Sequence, residues 1–302
     1  MSKKAALLIG NGINRATSEL AWSDLLAKLR ERLLEGEAQA CDNFPQEFQR
    51  IYFKSAEKDR NVTHYCLKKI IAESIPVISN LDLHRLFTRS GVEHIMTTNY
   101  DYNLEISLDA NFSRKGHSSN TTEIKHSLLR HLNLDSVNFW HIHGEQHCPN
   151  SICLGYEQYC AYLSKMLEYL TSQKRNYENI LSGFNLKPYL MDVEPCSPIP
   201  SWLFLFFTHD IYIIGLSLDF IEIDLWWLLN YRHYIQLTYP HLGINNDIYY
   251  YYKNPCSASE KKYLKGKLSL LDSMKISLKP IVLKNNGWPL FYEEIYRQIA
   301  CG

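Results

Sequence analysis

Four short stretches of this sequence hold residue types that could do chemistry. In "MTTNYD" (96–101), Asn99 and Asp101 follow the apolar run Val92–Met96, so two polar side chains stand where a strand ends. In "FWHIHG" (139–144), His141 and His143 are two residues apart and share one face of an extended chain. The pair suits a metal site, or a general base with a supporting residue, since an imidazole titrates near neutral pH. In "LLIGNGIN" (7–14), Gly10 and Gly12 lie between an apolar run and a helical pattern, where backbone amides can approach a phosphate. In "IIGLSLDFIEID" (213–224), Gly215, Ser217 and Asp219 repeat that arrangement after another apolar run. Each stretch also has a plain structural reading. Gly-x-Gly is a tight turn, and Arg15 occupies the third position of a full Gly-x-Gly-x-x-Gly. Asn99, Asp101, Ser217 or Asp219 can cap a helix. His141 can be a satisfied buried histidine.

The elements that must position these residues are legible from periodicity. Short apolar runs predict strands at 5–9, 92–97, 137–142, 210–218, 247–252 and 278–284. Leucines at three- and four-residue spacing predict a helix over 18–35, and helical patterns follow at 46–56, 62–75, 80–88 and 101–109. Further helices are predicted over 155–190, 219–237, 257–275 and 289–300. Strands alternating with helices indicate an α/β fold with a mainly parallel sheet, and ligands of such sheets bind at the carboxyl ends of strands. All four stretches fall at such ends. The chain reads as a single domain, 1–302, with 145–205 as a helical insertion or cap.

Composition limits the partners. Apolar residues make up 46%, enough for a sizeable core, and 32 Lys and Arg balance 32 Asp and Glu. A neutral chain gives no electrostatic case for direct nucleic-acid binding. The apolar run Ala5–Ile9 is too short for a secretion signal, and "WLFLFF" (202–207) is far too short to span a bilayer. A cytoplasmic protein with no membrane association is expected, its eight cysteines being free thiols. No Cys-x-x-Cys pair occurs, and the spacing of His141, His143, His147, Cys148, Cys153 and Cys160 matches no zinc pattern, so no metal is expected. The 21 tyrosines, four of them consecutive at 249–252, suit strands and buried interfaces.

In this order, the four stretches resemble the sirtuin family, most closely the sirtuin-like NAD-degrading domains of bacterial anti-phage defence. Gly10-Asn11-Gly12-Ile13 resembles the family's first glycine turn, and Trp22 the tryptophan that follows it in the bacterial branch. Thr97-Thr98-Asn99-Tyr100-Asp101 resembles the Asn-Asp motif, His143-Gly144 the His-Gly motif, and Gly215-Leu216-Ser217-Leu218 the late Gly-Ser motif. "LGYEQY" (154–159) resembles the start of the helical segment that follows His-Gly in this branch. The resemblance implies a Rossmann-like fold with helices on both faces and the 145–205 insertion in place of a zinc ribbon. It implies an NAD glycohydrolase that releases nicotinamide and ADP-ribose, with Asn99, His143 and Asp101 catalytic. Asn99 would hold the ribose and the attacking water, His143 would be the base, and Asp101 would orient the nicotinamide amide. Gly10, Asn11 and Gly12 would bind the pyrophosphate, Gly215, Ser217 and Asp219 would lie on the adenosine side, and Ile13 and Thr98 would also bind the cofactor.

The departures are informative. Deacylating sirtuins carry four paired zinc cysteines between the His-Gly and Gly-Ser motifs. Here Cys148, Cys153, Cys160 and Cys196 lack that pairing. The Asp-Phe-Arg that follows the first turn in deacylases is absent, and Thr98 stands where Gln is usual. Hydrolysis is therefore expected ahead of deacylation or ADP-ribosyl transfer, and a non-catalytic NAD- or ADP-ribose-sensing module is the alternative from another class. Unrestrained NAD loss would kill the cell. The resemblance accordingly implies abortive infection, gated by homo-oligomer assembly or by a separate regulatory protein of the same defence system.

Overall fold

The computed structural model describes residues 4–18, 22–114, 123–171, 201–283 and 287–301. Alternation of side chains builds its centre. In β1 (Ala5–Ile9), Ala6 and Leu8 enter one core and Leu7 and Ile9 another. A strand covered on both faces must be apolar throughout, which is why its neighbours also read as unbroken apolar runs. These neighbours are β2 (His94–Thr97), β4 (Val137–His141) and β5 (Asp210–Ile214). With β3 (Leu132–Leu134), β6 (Ile248–Lys253) and β7 (Ser277–Ile281) they form a seven-stranded sheet in the order β3-β4-β2-β1-β5-β6-β7. All neighbours pair in parallel except β3, which is antiparallel to β4. The fold is mixed α/β and Rossmann-like.

One face is covered by α7 (Tyr156–Thr171), α8 (Ile223–Thr238) and α9 (Ala258–Ser273), packed on Leu8, Trp140 and Ile213. The other is covered by α1 (Gly12–Ser18), α5 (Asp82–Thr88), α6 (Asn103–Leu108) and α10 (Trp288–Cys301). A third, smaller core joins α2 (Trp22–Leu33), α3 (Phe44–Lys58) and α4 (His64–Ser74) to Tyr100, Ile152 and Leu154. These three helices therefore form a cap beside the ends of β2 and β4.

Three expectations need correction or completion. The helix expected over 18–35 is α2, and a separate short helix, α1, starts inside the glycine turn. β5 ends at Ile214 rather than 218, because Gly215 (φ 64°) and Leu218 (φ 49°) take left-handed conformations that break extended pairing. β3 went unread. It has only three residues, Asn133 among them, and its hairpin turns through Asp135 and Ser136 at φ 47° and 68°, with no glycine to mark the bend. Of the 145–205 insertion, α7 packs onto the sheet as a layer helix, and residues 172–200, Cys196 included, lie outside the described residues.

The chain passes from β1 to β2 on one side of the sheet and reaches β5 on the other. Two chain reversals therefore meet at the carboxyl end of β1, where open α/β sheets bind ligands. The turns touch: Gly10 N donates to Ile214 O at 2.9 Å and Gly12 N to Gly215 O at 2.8 Å. A Cβ on Gly10 would sit 2.6 Å from Gly215 O, so Gly10→Ala should destabilise the fold by about 1–3 kcal/mol. Gly266 in α9 has nothing within 4 Å of a Cβ, so Gly266→Ala should stabilise it by roughly 0.5–1 kcal/mol. Denaturant titration checks both signs. Equal effects would contradict the close approach of the turns.

Candidate active site

Asn99 stands two residues past β2. The Thr97 hydroxyl donates to Ile9 O at 2.8 Å and accepts from Asn99 N at 3.0 Å, which locks the strand end onto the end of β1. Asn99 is 2% exposed, and its Oδ1 is buried with no hydrogen-bond partner among the described residues. A buried carboxamide oxygen left unpaired costs about 1–3 kcal/mol, a cost that a ligand hydroxyl would relieve.

The two histidines have different roles. His141 hydrogen-bonds Asn99 O through Nδ1 at 2.9 Å and Glu105 through Nε2 at 2.7 Å. Burial opposes its charge, but the Glu105 carboxylate more than offsets this and lifts its pKa to about 9. With both nitrogens engaged, His141 is a strap that holds the backbone of Asn99. His143 bonds the buried Asp224, at the start of α8, through Nε2 at 2.8 Å. Its Nδ1 makes no hydrogen bond among the described residues. Burial again opposes charge, and the Asp224 carboxylate raises the pKa above its usual value. β2 and β4 pair in register through Thr97↔His141, so Asn99 and His143 each lie two residues beyond the same rung. Gly144 (φ 98°) then turns the chain sharply, since a Cβ there would meet the Ser151 backbone at 2.4 Å.

Asp101 is committed to the fold. Its Oδ1 accepts from Asn103 N, the first residue of α6, at 3.0 Å, and its Oδ2 accepts from Asn14 Nδ2 at 2.8 Å. Asn14 also donates to Asn11 Oδ1 at 3.0 Å, so both its amide protons are used. Its Oδ1 must then accept from His84 Nε2, 2.8 Å away, which fixes the His84 tautomer. Burial pushes His84 down to about 4, so the ring is neutral at pH 7. Asp101 thus braces the start of α6 from outside the helix, and through Asn14 it also sets the orientation of Asn11.

A cavity of about 390 Å³ opens at the ends of β1, β5 and β6. It gathers Asn11, Gly12 and Thr98 from one side and Gly215, Ser217 and Asp219 from the other. Asn99, Asp101 and His143 do not line it, nor do Gly10 and Ile13. Ile13 is wholly buried in the core. The N–H groups of Gly10 and Gly12 are already donated to Ile214 and Gly215, so these glycines provide closeness rather than anion contacts. Tyr250, Tyr263, Trp288 and Tyr292 give the cavity aromatic walls suited to a base. Its lysines are paired, Lys253 with Glu260 at 2.7 Å and Lys267 with Asp219 at 3.4 Å. Arg15 makes no side-chain hydrogen bond or ion pair among the described residues. Glu222 joins this cavity to the His143–Asp224 pair. Enclosure by protein pushes its carboxyl up to about 8, although His143 pulls the other way.

With that geometry in place, comparison with known proteins adds one result. Residues 93–190 match the family model described as the SIR2-like domain. The match covers about a third of the chain, including β2, β4 and α7, and so includes Asn99, Asp101 and His143 but neither glycine turn. It supports a sirtuin-like domain and an NAD-related function. No curated protein matches the chain. Among the described residues no three His, Cys, Asp or Glu are grouped to hold a metal ion, and no helix is long and apolar enough to cross a membrane.

Sequence reasoning missed Asp224, Glu105 and Asn14. Asp224 closes the quoted stretch "IIGLSLDFIEID" and carried a signal, a carboxylate within the apolar run that opens its helix. Glu105 and Asn14 read as ordinary helix residues.

The His141–Glu105 pair predicts a pH signature. A histidine raised to about 9 contributes stability that is complete below its unfolded value of about 6.5 and lost as pH rises through about 9. Glu105→Gln should lower Tm at pH 6, and its deficit should shrink as pH rises to 9.5. Melting curves across that range test this, and a constant deficit would refute the ion pair.

Proposed function

We propose that the protein hydrolyses NAD to nicotinamide and ADP-ribose. The observation that carries this reading is the buried Asn99 Oδ1, without a hydrogen-bond partner among the described residues, past the end of β2, the strand next to the one that leads to His143, in a segment that matches the SIR2-like domain. The bond from ribose C1′ to the nicotinamide nitrogen breaks, and its electron pair leaves with the ring. Water adds to C1′ and gives up a proton. Asn99 Oδ1 accepts a hydrogen bond from the ribose. His143 takes the proton at Nδ1, while Nε2–H faces Asp224, which holds the tautomer and steadies the imidazolium. Asp101 acts through Asn14 rather than on the nicotinamide amide. The aromatic cavity takes the adenosine, with Ser217 and Asp219 beside its ribose, Asn11 and Thr98 lining the opposite side, and Arg15 as the cation left for the pyrophosphate.

The cellular reading is the one the resemblance implies: a cytoplasmic effector of anti-phage defence that acts by abortive infection, with activity gated by assembly or by a regulatory partner. Exposed Phe220, Ile223, Tyr234 and Leu237, on and next to α8, support an assembly surface.

Chromatography of NAD incubated with purified protein tests the activity. Wild type should release equal nicotinamide and ADP-ribose. Asn99→Ala and His143→Ala should each lose at least about 100-fold in turnover while staying folded. An acylated ribose or a modified protein as product would replace hydrolysis with transfer. Ligand binding with no product under any condition would indicate a sensing module. The pH profile is a second check. His143 must be neutral to accept a proton, and Asp224 raises its pKa, so kcat/KM should fall on the acid side through a value above 6.5. Asp224→Asn should move that limb to lower pH and cut turnover at least about tenfold. An unmoved limb would exclude His143 as the base.

A further inference from the structure

A second cavity, of about 260 Å³, lies between α4, α7 and the turn at 149–153. It shares no lining residue with the aromatic cavity. Its chemistry is cationic. Lys68 lines it and is 6% exposed, and its ammonium makes one hydrogen bond, to Asn150 O at 3.2 Å. An ammonium has three donors, and among the described residues no carboxylate pairs with this one. Burying a charge without a counter-ion is costly unless something else neutralises it. Burial lowers the Lys68 pKa, as that cost requires.

The neighbours add donors. Lys125 and His126 line the same space. His64 Nδ1 stands 3.3 Å from Glu157, and burial lowers the ring's pKa, so the neutral ring spends its N–H on that carboxylate. Glu157 is the acidic residue in the wall, and its side chain is 76% exposed. The first residues of α4 and α7 also face the cavity, and the positive ends of both helices favour an anion. Two lysines and two helix ends offer more donors than one carboxylate can use. A phosphoryl group, with three acceptor oxygens and close to two negative charges, matches them.

We propose that this cavity is a binding site for a small phosphoryl-bearing anion, held by Lys68 and Lys125. The site adjoins His143: Cys153 in its wall donates its N–H to His143 O at 2.9 Å, and Tyr162 in its wall donates to Ile142 O. The proposal does not depend on NAD cleavage.

The test is thermal denaturation of the full chain titrated with inorganic phosphate, and separately with ribose 5-phosphate, at constant ionic strength set by chloride. Wild type should show a saturable rise in Tm with at least one of them. Lys68→Gln should weaken the midpoint about tenfold or more, as loss of a charge-assisted hydrogen bond predicts. Lys125→Ala should weaken it several-fold, and because Lys125 is exposed it carries the test if Lys68→Gln does not fold. Arg15→Ala should leave the midpoint unchanged. A stronger response to the sugar phosphate would identify the ligand as an organic phosphate, and an equal response as the inorganic ion. The proposal is overturned by no saturable rise with either probe, by a rise that both lysine variants retain, or by one that Arg15→Ala removes.

Discussion

The contact between the β1 turn and the β5 turn is the constraint on which the rest depends. Two backbone hydrogen bonds hold Gly10 and Gly12 against Ile214 and Gly215, and neither glycine has room for a side chain. This contact closes the sheet at its switch point and fixes where α1 begins. From there Asn14 reaches Asp101 and His84, so the end of β2 is tied to the same place. The glycines spend their own amides in making the contact. They bring two strand ends together, and other residues line most of the cavity that results.

Two imidazole–carboxylate pairs then divide the work at the ends of β2 and β4. Both are buried, and in both the carboxylate overcomes the cost of burying a charged ring. His141 has no nitrogen left, because Glu105 and the Asn99 carbonyl take both. His143 keeps Nδ1, and its partner Asp224 comes from α8, more than 80 residues along the chain. One pair fixes the asparagine and the other leaves an imidazole able to accept a proton. A buried Asn99 oxygen with no partner among the described residues is an arrangement stability alone would not select, because a paired group would be cheaper.

Much of this was legible in the sequence. Six of the seven strands could be read because a sheet covered on both faces demands unbroken apolar runs, and Asn99, His143, Gly215 and Ser217 could be placed because they follow such runs. What stayed hidden depends on contacts distant in sequence. Nothing within "FWHIHG" says which histidine meets Glu105 and which meets Asp224. Nothing in "GNGIN" says that its amides face Ile214 and Gly215. β3 was missed for a local reason, a two-residue turn built from Asp135 and Ser136 without glycine. The cap formed by α2, α3 and α4 was visible as three helices but not as a unit, since periodicity shows which face is apolar and not what covers it.

The central claim is that Asn99 and His143 converge on the ribose next to nicotinamide. The most direct measurement is a crystal structure of the His143→Ala protein with intact NAD bound. The account predicts a ribose hydroxyl within hydrogen-bond distance of Asn99 Oδ1, with the adenine between the aromatic walls of the β1–β5–β6 cavity. NAD bound elsewhere, or bound with Asn99 Oδ1 still unpaired, would contradict it.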